Sequence, residues 1–207
     1  MVDEVRSARG RPRDAGIDAR VVAAALQLLV EEGFAGTTIQ AISRRANVHS
    51  SAIYRRWPSR IELIEEAVFP GLDVAAVRPS GDLLRDLRRF LRSYVRTLGS
   101  PAARAAMPGL LATYQAGTTP RNAQDWVRIS ARPQFEAILL AAPAGSVDPD
   151  LNPDDVFDVL VSAIIGHVLV PTLASRPRFV ERTADLVIRL LRPLSLPTAR
   201  PLPGKSR

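Results

Sequence analysis

The side chains best suited to chemistry are arginines and hydroxyl groups within residues 33–61, a segment that holds five arginines and no acidic residue. Guanidinium and hydroxyl groups donate hydrogen bonds to phosphate oxygens, so this composition suits non-covalent binding of a polyanion. Apolar residues recur in the segment at spacings that bury one side of two successive helices, namely Ile39, Ile42, Ala46, Val48 and Ile53. We therefore expect a buried seam and a positive outer face.

Local start and turn signals divide this segment into short helices. Thr37 and Gln40 have the spacing of a capping box, which predicts a helix with Thr37 as its N-cap. Asn47 tolerates the left-handed backbone that a tight turn requires, so we place the turn between two helices there. Ser59 and Glu62 form a second capping box and predict the next helix. Together the signals predict a helix-turn-helix, whose second helix reads DNA.

Composition narrows the classes of function. The chain has 207 residues and a formal net charge of +7, which favours an anionic partner. It has no cysteine, and its two histidines, His49 and His167, are far apart, so no metal site is expected. It also lacks a glycine-rich phosphate loop and a nucleophile-elbow serine, which disfavours an enzyme and predicts no cofactor. Without a signal-like or membrane-spanning apolar run, we predict a cytoplasmic protein.

Three arginines near the N-terminus, Arg9, Arg11 and Arg13, alternate with Gly10 and Pro12 in a pattern that resembles the AT-hook core. Proline keeps such a segment extended, and glycine permits close approach to DNA. A narrow minor groove concentrates negative potential that attracts inserted arginine. The alternative is a basic tail that makes no groove contact, and the sequence leaves both possibilities open.

The sequence predicts an all-α protein with about nine helices, because no segment alternates with the period of a strand. The first helix is expected to run from an N-cap at Asp18 to Glu32, with Gly33 as its stop. Helix signals and composition divide the chain into four segments. These are a flexible basic arm (residues 1–16), a helix-turn-helix DNA-binding domain (17–69), an α-helical effector-binding and dimerisation domain (70–192) and a disordered tail (193–207).

Two features stand out in the predicted C-terminal domain. The helices predicted at residues 153–174 and 177–191 are apolar on more than one side, which suits either the centre of a bundle or a subunit interface. A helix that begins near Leu83 and ends at Gly99 is amphipathic. We interpret its basic face as a solvated surface, formed by Arg85, Arg88, Arg89, Arg92 and Arg96.

Residues 33–63 resemble the DNA-binding head of the TetR family, bacterial transcription regulators that are usually repressors. The residues that carry the resemblance are Gly33, Phe34, Thr37, Thr38, Ile42, Ala46, Val48, Tyr54, Trp57, Pro58, Ser59 and Arg60. The remainder of the chain resembles the family only in layout. The resemblance implies an α-helical body that joins two subunits and binds a small-molecule effector.

The resemblance also implies which residues contact DNA. Phosphate contacts are implied for Thr38, Tyr54, Trp57 and Arg60. The reading helix carries Ser50, Ser51, Ala52 and Arg55, and we add Arg44 and His49 to the predicted DNA-binding residues. The chain departs from the family pattern at Asn47, His49 and Ser51, where a glycine, a capping hydroxyl and a glycine are usual, so Ser50 is an alternative cap.

The predicted function is that of a repressor that binds a near-palindromic operator as a homodimer through residues 153–174 and 177–191. An unknown small molecule would release it from DNA. Aromatic and polar side chains of the body are candidates for the effector pocket, although each is also compatible with an ordinary core position: Phe90, Tyr94, Met107, Tyr114, Trp126 and His167. The alternative function is that of an architectural DNA-binding protein that does not switch.

Overall fold

The computed structural model describes residues 15–69, 78–117, 131–170, 172 and 177–192, and the regular structure of these residues is helical. This part of the chain contains nine helices: α1 (Ala15–Gly36), α2 (Ile39–Ala46), α3 (Ser50–Tyr54), α4 (Arg60–Val68), α5 (Leu83–Leu98), α6 (Pro101–Gln115), α7 (Arg132–Leu140), α8 (Pro153–Leu169) and α9 (Phe179–Leu191). The predicted all-α architecture is confirmed. The predicted tail and nearly all of the predicted arm lie outside the described residues.

The helices form two compact units. Unit 1 contains α1 to α4 and α6, and unit 2 contains α5 and α7 to α9. The domain boundary predicted at residue 70 placed α6 in the C-terminal domain, whereas the structure packs α6 within unit 1. The reason is its apolar face, because Ala106 and Leu110 share a buried core with Leu29 of α1 and Ile64 of α4. Burial of such side chains is the main force that assigns a helix to a unit.

The end of α1 and the start of α2 differ from the sequence prediction by small shifts. α1 begins before the predicted cap at Asp18, which lies in its first turn. Gly33 has a φ of 70° and a ψ of −175°, so the predicted positive φ is present, but it kinks α1 there and the helix continues to Gly36. Thr37 is not the N-cap of α2, because its buried hydroxyl donates to the carbonyl of Gly33 at 2.8 Å. Thr38 caps α2 instead by accepting from the N–H of Ala41 at 3.1 Å.

Four aromatic rings from α5, α7 and α8 form the centre of unit 2. Phe90 stacks on Tyr94 with ring centroids 5.6 Å apart. Phe135 lies 5.9 Å from Phe90 and 5.8 Å from Phe157. All four side chains are buried. Large aromatic side chains dominate the burial of apolar surface, so this cluster fixes how the three helices pack.

The last two helices have boundaries close to the predicted ones. The helix predicted at residues 153–174 ends earlier, at Leu169, and Val170 is extended. Val170 precedes Pro171, and a residue before proline is disfavoured in the helical region. α9 begins at Phe179 rather than at residue 177 and ends at Leu191 as predicted.

A glycine lets α6 approach the end of α1 closely. Pro108 lies inside α6, which continues through this residue without a break. At Gly109, an added Cβ would overlap the ring of Phe34. The guanidinium carbon of Arg60 lies 4.3 Å from the centroid of the same ring. Phe34 therefore contacts both α6 and the first residue of α4.

Replacing Gly109 with alanine is expected to destabilise unit 1, even though alanine favours a helix over glycine by about 1 kcal/mol. The added methyl group overlaps the ring of Phe34, and overpacking of this kind costs about 1–3 kcal/mol. Urea unfolding of the Gly109→Ala variant measures the net change. In a Phe34→Ala background the same substitution should be neutral or stabilising. A similar destabilisation in both backgrounds would contradict this packing.

Candidate DNA-binding surface

The turn between α2 and α3 is held by backbone and side-chain hydrogen bonds. Asn47 has φ 51° and ψ 50°, which confirms the predicted left-handed turn residue. The N–H of Val48 donates to the carbonyl of Ser43 at 3.1 Å, and the hydroxyl of Ser43 donates to the carbonyl of Val48 at 2.7 Å. These reciprocal bonds fix the position of α3 relative to α2.

His49 is the N-cap of α3. Its Nδ1 atom accepts from the N–H of Ser51 at 3.3 Å and lies 2.9 Å from the hydroxyl of Ser51. The alternative cap, Ser50, is instead the first residue of α3. In a neutral imidazole whose Nδ1 accepts, the proton resides on Nε2. The exposed His49 side chain therefore offers an N–H donor at the start of α3.

The outer face of α3 presents polar and charged side chains. Ser51, Tyr54 and Arg55 are exposed, and 49% of the Tyr54 surface is accessible. Ser50 and Ala52 are half-buried. Base edges and phosphates are within reach only of side chains that leave the core. The structure thus brings the predicted residues of α3 onto one surface, with Ser51, Tyr54 and Arg55 most accessible.

Two arginines of the segment form ion pairs with acids of α1. Arg45 pairs with Glu31, and a second Arg45 nitrogen lies 3.8 Å from Glu32. Arg56 pairs with Asp18. Partly exposed ion pairs of this kind contribute about 0–1 kcal/mol to stability. Their main effect here is to neutralise two positive charges inside unit 1.

Arg60 is also engaged within unit 1. Its Nη1 donates to the carbonyl of Phe34 at 2.9 Å, and its guanidinium lies over the Phe34 ring. Burial lowers the pKa of Arg60 from its usual value. An arginine nevertheless remains protonated at neutral pH. The residue predicted to bind phosphate therefore first serves as a cationic partner for the end of α1.

Arg44 and Arg55 are the arginines of the segment whose charge remains available. Both are exposed, and neither has an acidic partner within the described residues. Arg44 lies on α2, and Arg55 directly follows α3. The positive outer face predicted from five arginines is consequently concentrated at these two.

Trp57 does not lie on the accessible surface, although the sequence predicted a phosphate contact for it. Only 4% of its surface is exposed. Its indole N–H donates to Glu66 at 2.8 Å. The ring packs in the core of unit 1 with Ile53 and Leu63. This corrects the prediction, because a buried indole with its donor satisfied positions the end of α3 and has no free group for DNA.

The other predicted DNA contacts are divided between the described and undescribed parts of the chain. Thr38 is half-buried, and its oxygen already accepts from α2. Its hydroxyl hydrogen is still available to a phosphate, since a threonine hydroxyl both donates and accepts. Arg9, Arg11 and Arg13 lie outside the described residues.

The predicted effector-pocket residues fall in different places. Phe90 and Tyr94 stack on each other in unit 2. Met107 and Tyr114 lie on α6 in unit 1, where the hydroxyl of Tyr114 donates to Glu65 at 2.9 Å. Thus Phe90 and Tyr94 adjoin each other, whereas Met107 and Tyr114 belong to the other unit.

The last two candidates are His167 and Trp126. The imidazole of His167 stacks in parallel on the ring of Phe179, with centroids 3.8 Å apart. This contact joins α8 to α9 in unit 2. Trp126 lies outside the described residues.

Tyr94 combines a buried ring with a polar hydroxyl. Burial raises the pKa of Tyr94 to about 12, against the lowering effect of Arg132. The hydroxyl therefore keeps its proton at neutral pH. It has no hydrogen-bond partner among the described residues. Tyr94 thus contributes a protonated hydroxyl to the aromatic cluster.

Sequence reasoning missed several residues of this interior. Phe135 and Phe157 complete the aromatic cluster, and no motif marked them. Glu65 is buried with 3% exposure. Its position could have been found, because it lies four residues after Ile61 on the apolar side of α4. A carboxylate at such a position indicates a buried polar contact, here to Tyr114.

The described ranges contain neither a metal-binding cluster nor a membrane-spanning helix. No group of histidine, aspartate and glutamate side chains within them could hold a metal ion. None of the helices described is long and apolar enough to cross a bilayer. The chemistry of the surface around α3 is that of exposed guanidinium, hydroxyl and imidazole groups.

Comparison with known sequence families identifies both parts of the chain. Residues 21–67 match the family described as bacterial regulatory proteins, tetR family. Residues 77–187 match the family described as the tetracyclin repressor-like C-terminal domain. An HTH-type transcriptional regulator of Mycobacterium tuberculosis, Rv1556, is 26% identical over 195 residues, which cover 91% of this chain and 96% of the relative.

Solved structures have the same fold. A TetR transcriptional regulator from Streptomyces coelicolor, SCO0520, matches with a TM-score of 0.50 and 26% identity over 86% of this chain and 99% of that chain. GusR from Salmonella enterica matches with a TM-score of 0.64 and covers 86% of this chain and 97% of its own. At 19% identity, the second likeness is one of fold alone.

Substitution of the unpaired arginines, Arg44 and Arg55, should affect DNA binding more than substitution of the arginines that are paired with acids of α1. An Arg44→Gln, Arg55→Gln variant should bind duplex DNA more weakly. Its slope of log affinity against log salt should decrease by about one for each phosphate group that the variant no longer binds. Fluorescence anisotropy across a salt series measures both quantities. Arg45→Gln, Arg56→Gln is the matched control, because it removes two arginines that are paired with acids, and an equal change of slope in the control would contradict the division.

Proposed function

The chain belongs to the TetR family of bacterial transcription regulators, and on this premise we propose that it is a repressor that binds a near-palindromic operator as a homodimer and is released by a small molecule. The observation that carries the DNA-binding part is the exposed surface of α3. Arg44 and Arg55 provide uncompensated charge beside the exposed Ser51 and Tyr54. Members of this family are DNA-binding regulators rather than enzymes.

Within this proposal, the exposed residues of unit 1 divide into two roles. Arg55 and Ser51 read base edges in the major groove, where arginine recognises guanine with two hydrogen bonds. Arg44, Tyr54 and the Nε2 of His49 bind phosphates and set the position of α3 in the groove. Thr38 adds its hydroxyl to the phosphate contacts. Trp57 and Arg60 position this surface from inside unit 1.

The exposed apolar faces of α8 and α9 support the homodimer. On α9, Leu186 and Leu190 are spaced by one helical turn and are 58% and 51% exposed. On α8, Val159 is 59% exposed, and Ala163 follows it one turn later. Neighbouring apolar side chains exposed to solvent mark an interaction site. A second copy of the chain would bury them in an interface related by two-fold symmetry.

Two-fold symmetry determines the form of the operator. A dimer presents two copies of α3, and each reads one half-site in the major groove. Half-sites of helix-turn-helix dimers lie about 34–36 Å apart, which is one turn of B-DNA. The operator should therefore be a near-palindrome with this spacing. Occupation of such a site in a promoter would repress transcription.

The effector is proposed to bind at the aromatic cluster of unit 2. Tyr94 supports this assignment, since its hydroxyl lacks a partner among the described residues while its ring is packed among Phe90 and Phe157. Small-molecule sites are typically lined by apolar and aromatic side chains with a few polar groups that orient the ligand. By thermodynamic linkage, an effector that lowers operator affinity must itself be bound more weakly by the DNA-bound dimer.

Footprinting on the DNA that flanks the protein's own gene tests the proposed function. We expect protection of a dyad-symmetric sequence with half-site centres about 34–36 Å apart. Small aromatic compounds whose binding changes the fluorescence of Tyr94 should remove the footprint. A Tyr94→Phe variant should require a higher concentration of the same compound to do so. An asymmetric footprint that no compound removes would favour a non-switching architectural protein instead.

Charge introduced into the exposed face of α9 should disrupt the dimer. A Leu186→Asp, Leu190→Asp variant is expected to sediment as a monomer with unchanged helix content, because both side chains are exposed in the single chain. Leu140→Asp is the matched control, since Leu140 is 80% exposed on α7. Analytical ultracentrifugation distinguishes the two variants. A dimer that survives in the double variant would exclude this face as the interface.

A further inference from the structure

The outer face of α5 lines a groove of about 440 Å³ formed by Asp82, Leu84, Arg85, Arg88, Arg89 and Arg92. We propose that this groove binds a small phosphate-bearing anion with at least two negative charges, of the polyphosphate or phosphate-ester class. Neither the operator surface nor the aromatic cluster includes the guanidinium groups that line it. The proposed site is therefore additional to the proposed function and does not depend on it.

The arginines of α5 other than Arg89 have no acidic partner on their own helix. They recur three and four residues apart, and like charges at this spacing repel each other. A solvated helix face usually relieves such repulsion with carboxylates one turn away. The acid within α5 is Asp86, which is buried and accepts from the N–H and hydroxyl of Ser80 at 2.6 and 2.9 Å. It lies 3.6 Å from Arg89 and is largely satisfied by Ser80.

Acids of α9 compensate only part of this charge. Arg88 donates to Asp185 at 3.2 Å, and Arg92 donates to Glu181 at 3.1 Å. The side chain of Arg85 has no partner within the described residues. Each guanidinium carries five N–H donors, so most donors in the groove are not used by these hydrogen bonds.

One of these donors is both buried and unsatisfied. The Nε atom of Arg88 is inaccessible to solvent and has no hydrogen-bond partner. A buried N–H without an acceptor is costly, because it has given up its hydrogen bonds to water without a replacement. Arg88 therefore keeps one unused donor beside the basic groove, which an anionic oxygen could reach only after the side chain turns toward the groove.

The geometry favours a multiply charged anion. Arg85 and Arg92 are seven residues apart, which corresponds to about 10 Å along a helix. A monoatomic anion such as chloride cannot contact guanidinium groups at both ends of this span. The forked guanidinium also matches phosphate oxygens with two parallel hydrogen bonds. Asp185 and Glu181 already accept hydrogen bonds from Arg88 and Arg92. A ligand must therefore carry enough negative charge to compete with these carboxylates.

Calorimetric titration of the full-length protein with inorganic pyrophosphate tests the proposal, with sodium chloride adjusted to keep the ionic strength constant. The test variant is Arg85→Gln, Arg89→Gln, because neither residue forms the ion pairs that join α5 to α9. The matched control is Arg96→Gln, Arg104→Gln, which removes the same charge from exposed positions outside the groove. Circular dichroism melting establishes that each variant is folded.

We expect saturable binding of one pyrophosphate per chain to the wild type and the control. Affinity should fall about tenfold or more in the test variant, since removing one charge-assisted hydrogen bond weakens binding by about a factor of ten. A parallel titration with ATP distinguishes the source of the anion. Equal affinities support a free polyphosphate ligand, whereas tighter binding of ATP supports a phosphate ester whose organic part contacts Leu84.

Three results would overturn the proposal. The first is the absence of saturable binding to the wild type. The second is an equal decrease of affinity in the test variant and the control, which would indicate attraction by net charge alone. The third is a failure of the Arg44→Gln, Arg55→Gln variant to bind pyrophosphate, which would place the anion on the operator surface. None of these results depends on operator binding, so the proposed function is tested separately.

Discussion

The guanidinium of Arg60 joins the end of α1 to the start of α4, and the placement of the helix-turn-helix depends on this contact. It donates to the carbonyl of Phe34 and lies over the ring of the same residue. The last carbonyls of a helix lack hydrogen-bond partners within the helix and lie at the negative end of its dipole. A guanidinium there donates the missing hydrogen bond and also interacts favourably with the dipole. The same ring faces Gly109, and one aromatic side chain thus connects three helices of unit 1.

Charge within unit 1 is used in two distinct ways. Arg45 and Arg56 pair with acids of α1, and these pairs neutralise both charges within unit 1. Arg44 and Arg55 remain exposed without such partners among the described residues. The two unpaired arginines attract the negatively charged DNA. Hydroxyl and imidazole groups on the same surface add directional hydrogen bonds, which set the orientation of the protein on the DNA. The positive segment is thereby both a scaffold and a contact surface.

Local signals in the sequence were sufficient to predict the all-α fold and the turn at Asn47, because capping and left-handed backbone depend on neighbouring residues. The cap of α2 was assigned to Thr37 instead of Thr38, since only the three-dimensional contact of Thr37 with Gly33 distinguishes the two threonines. Trp57 was predicted to contact DNA because it occupies a position of the family motif, and a motif does not show whether the side chain is buried. The ion pairs were also beyond prediction, as their partners are distant along the chain.

Because α6 completes the core of unit 1, this unit is not a continuous stretch of the chain. Residues of α5, which belong to unit 2, are synthesised between α4 and α6. Until α6 emerges from the ribosome, Leu29 and Ile64 lack their partners Ala106 and Leu110. The N-terminal helices alone would therefore carry an exposed apolar strip. The packed unit that carries the DNA-reading helices thus extends to α6, and an exchange of α1 to α4 between relatives would have to preserve the face that packs on α6.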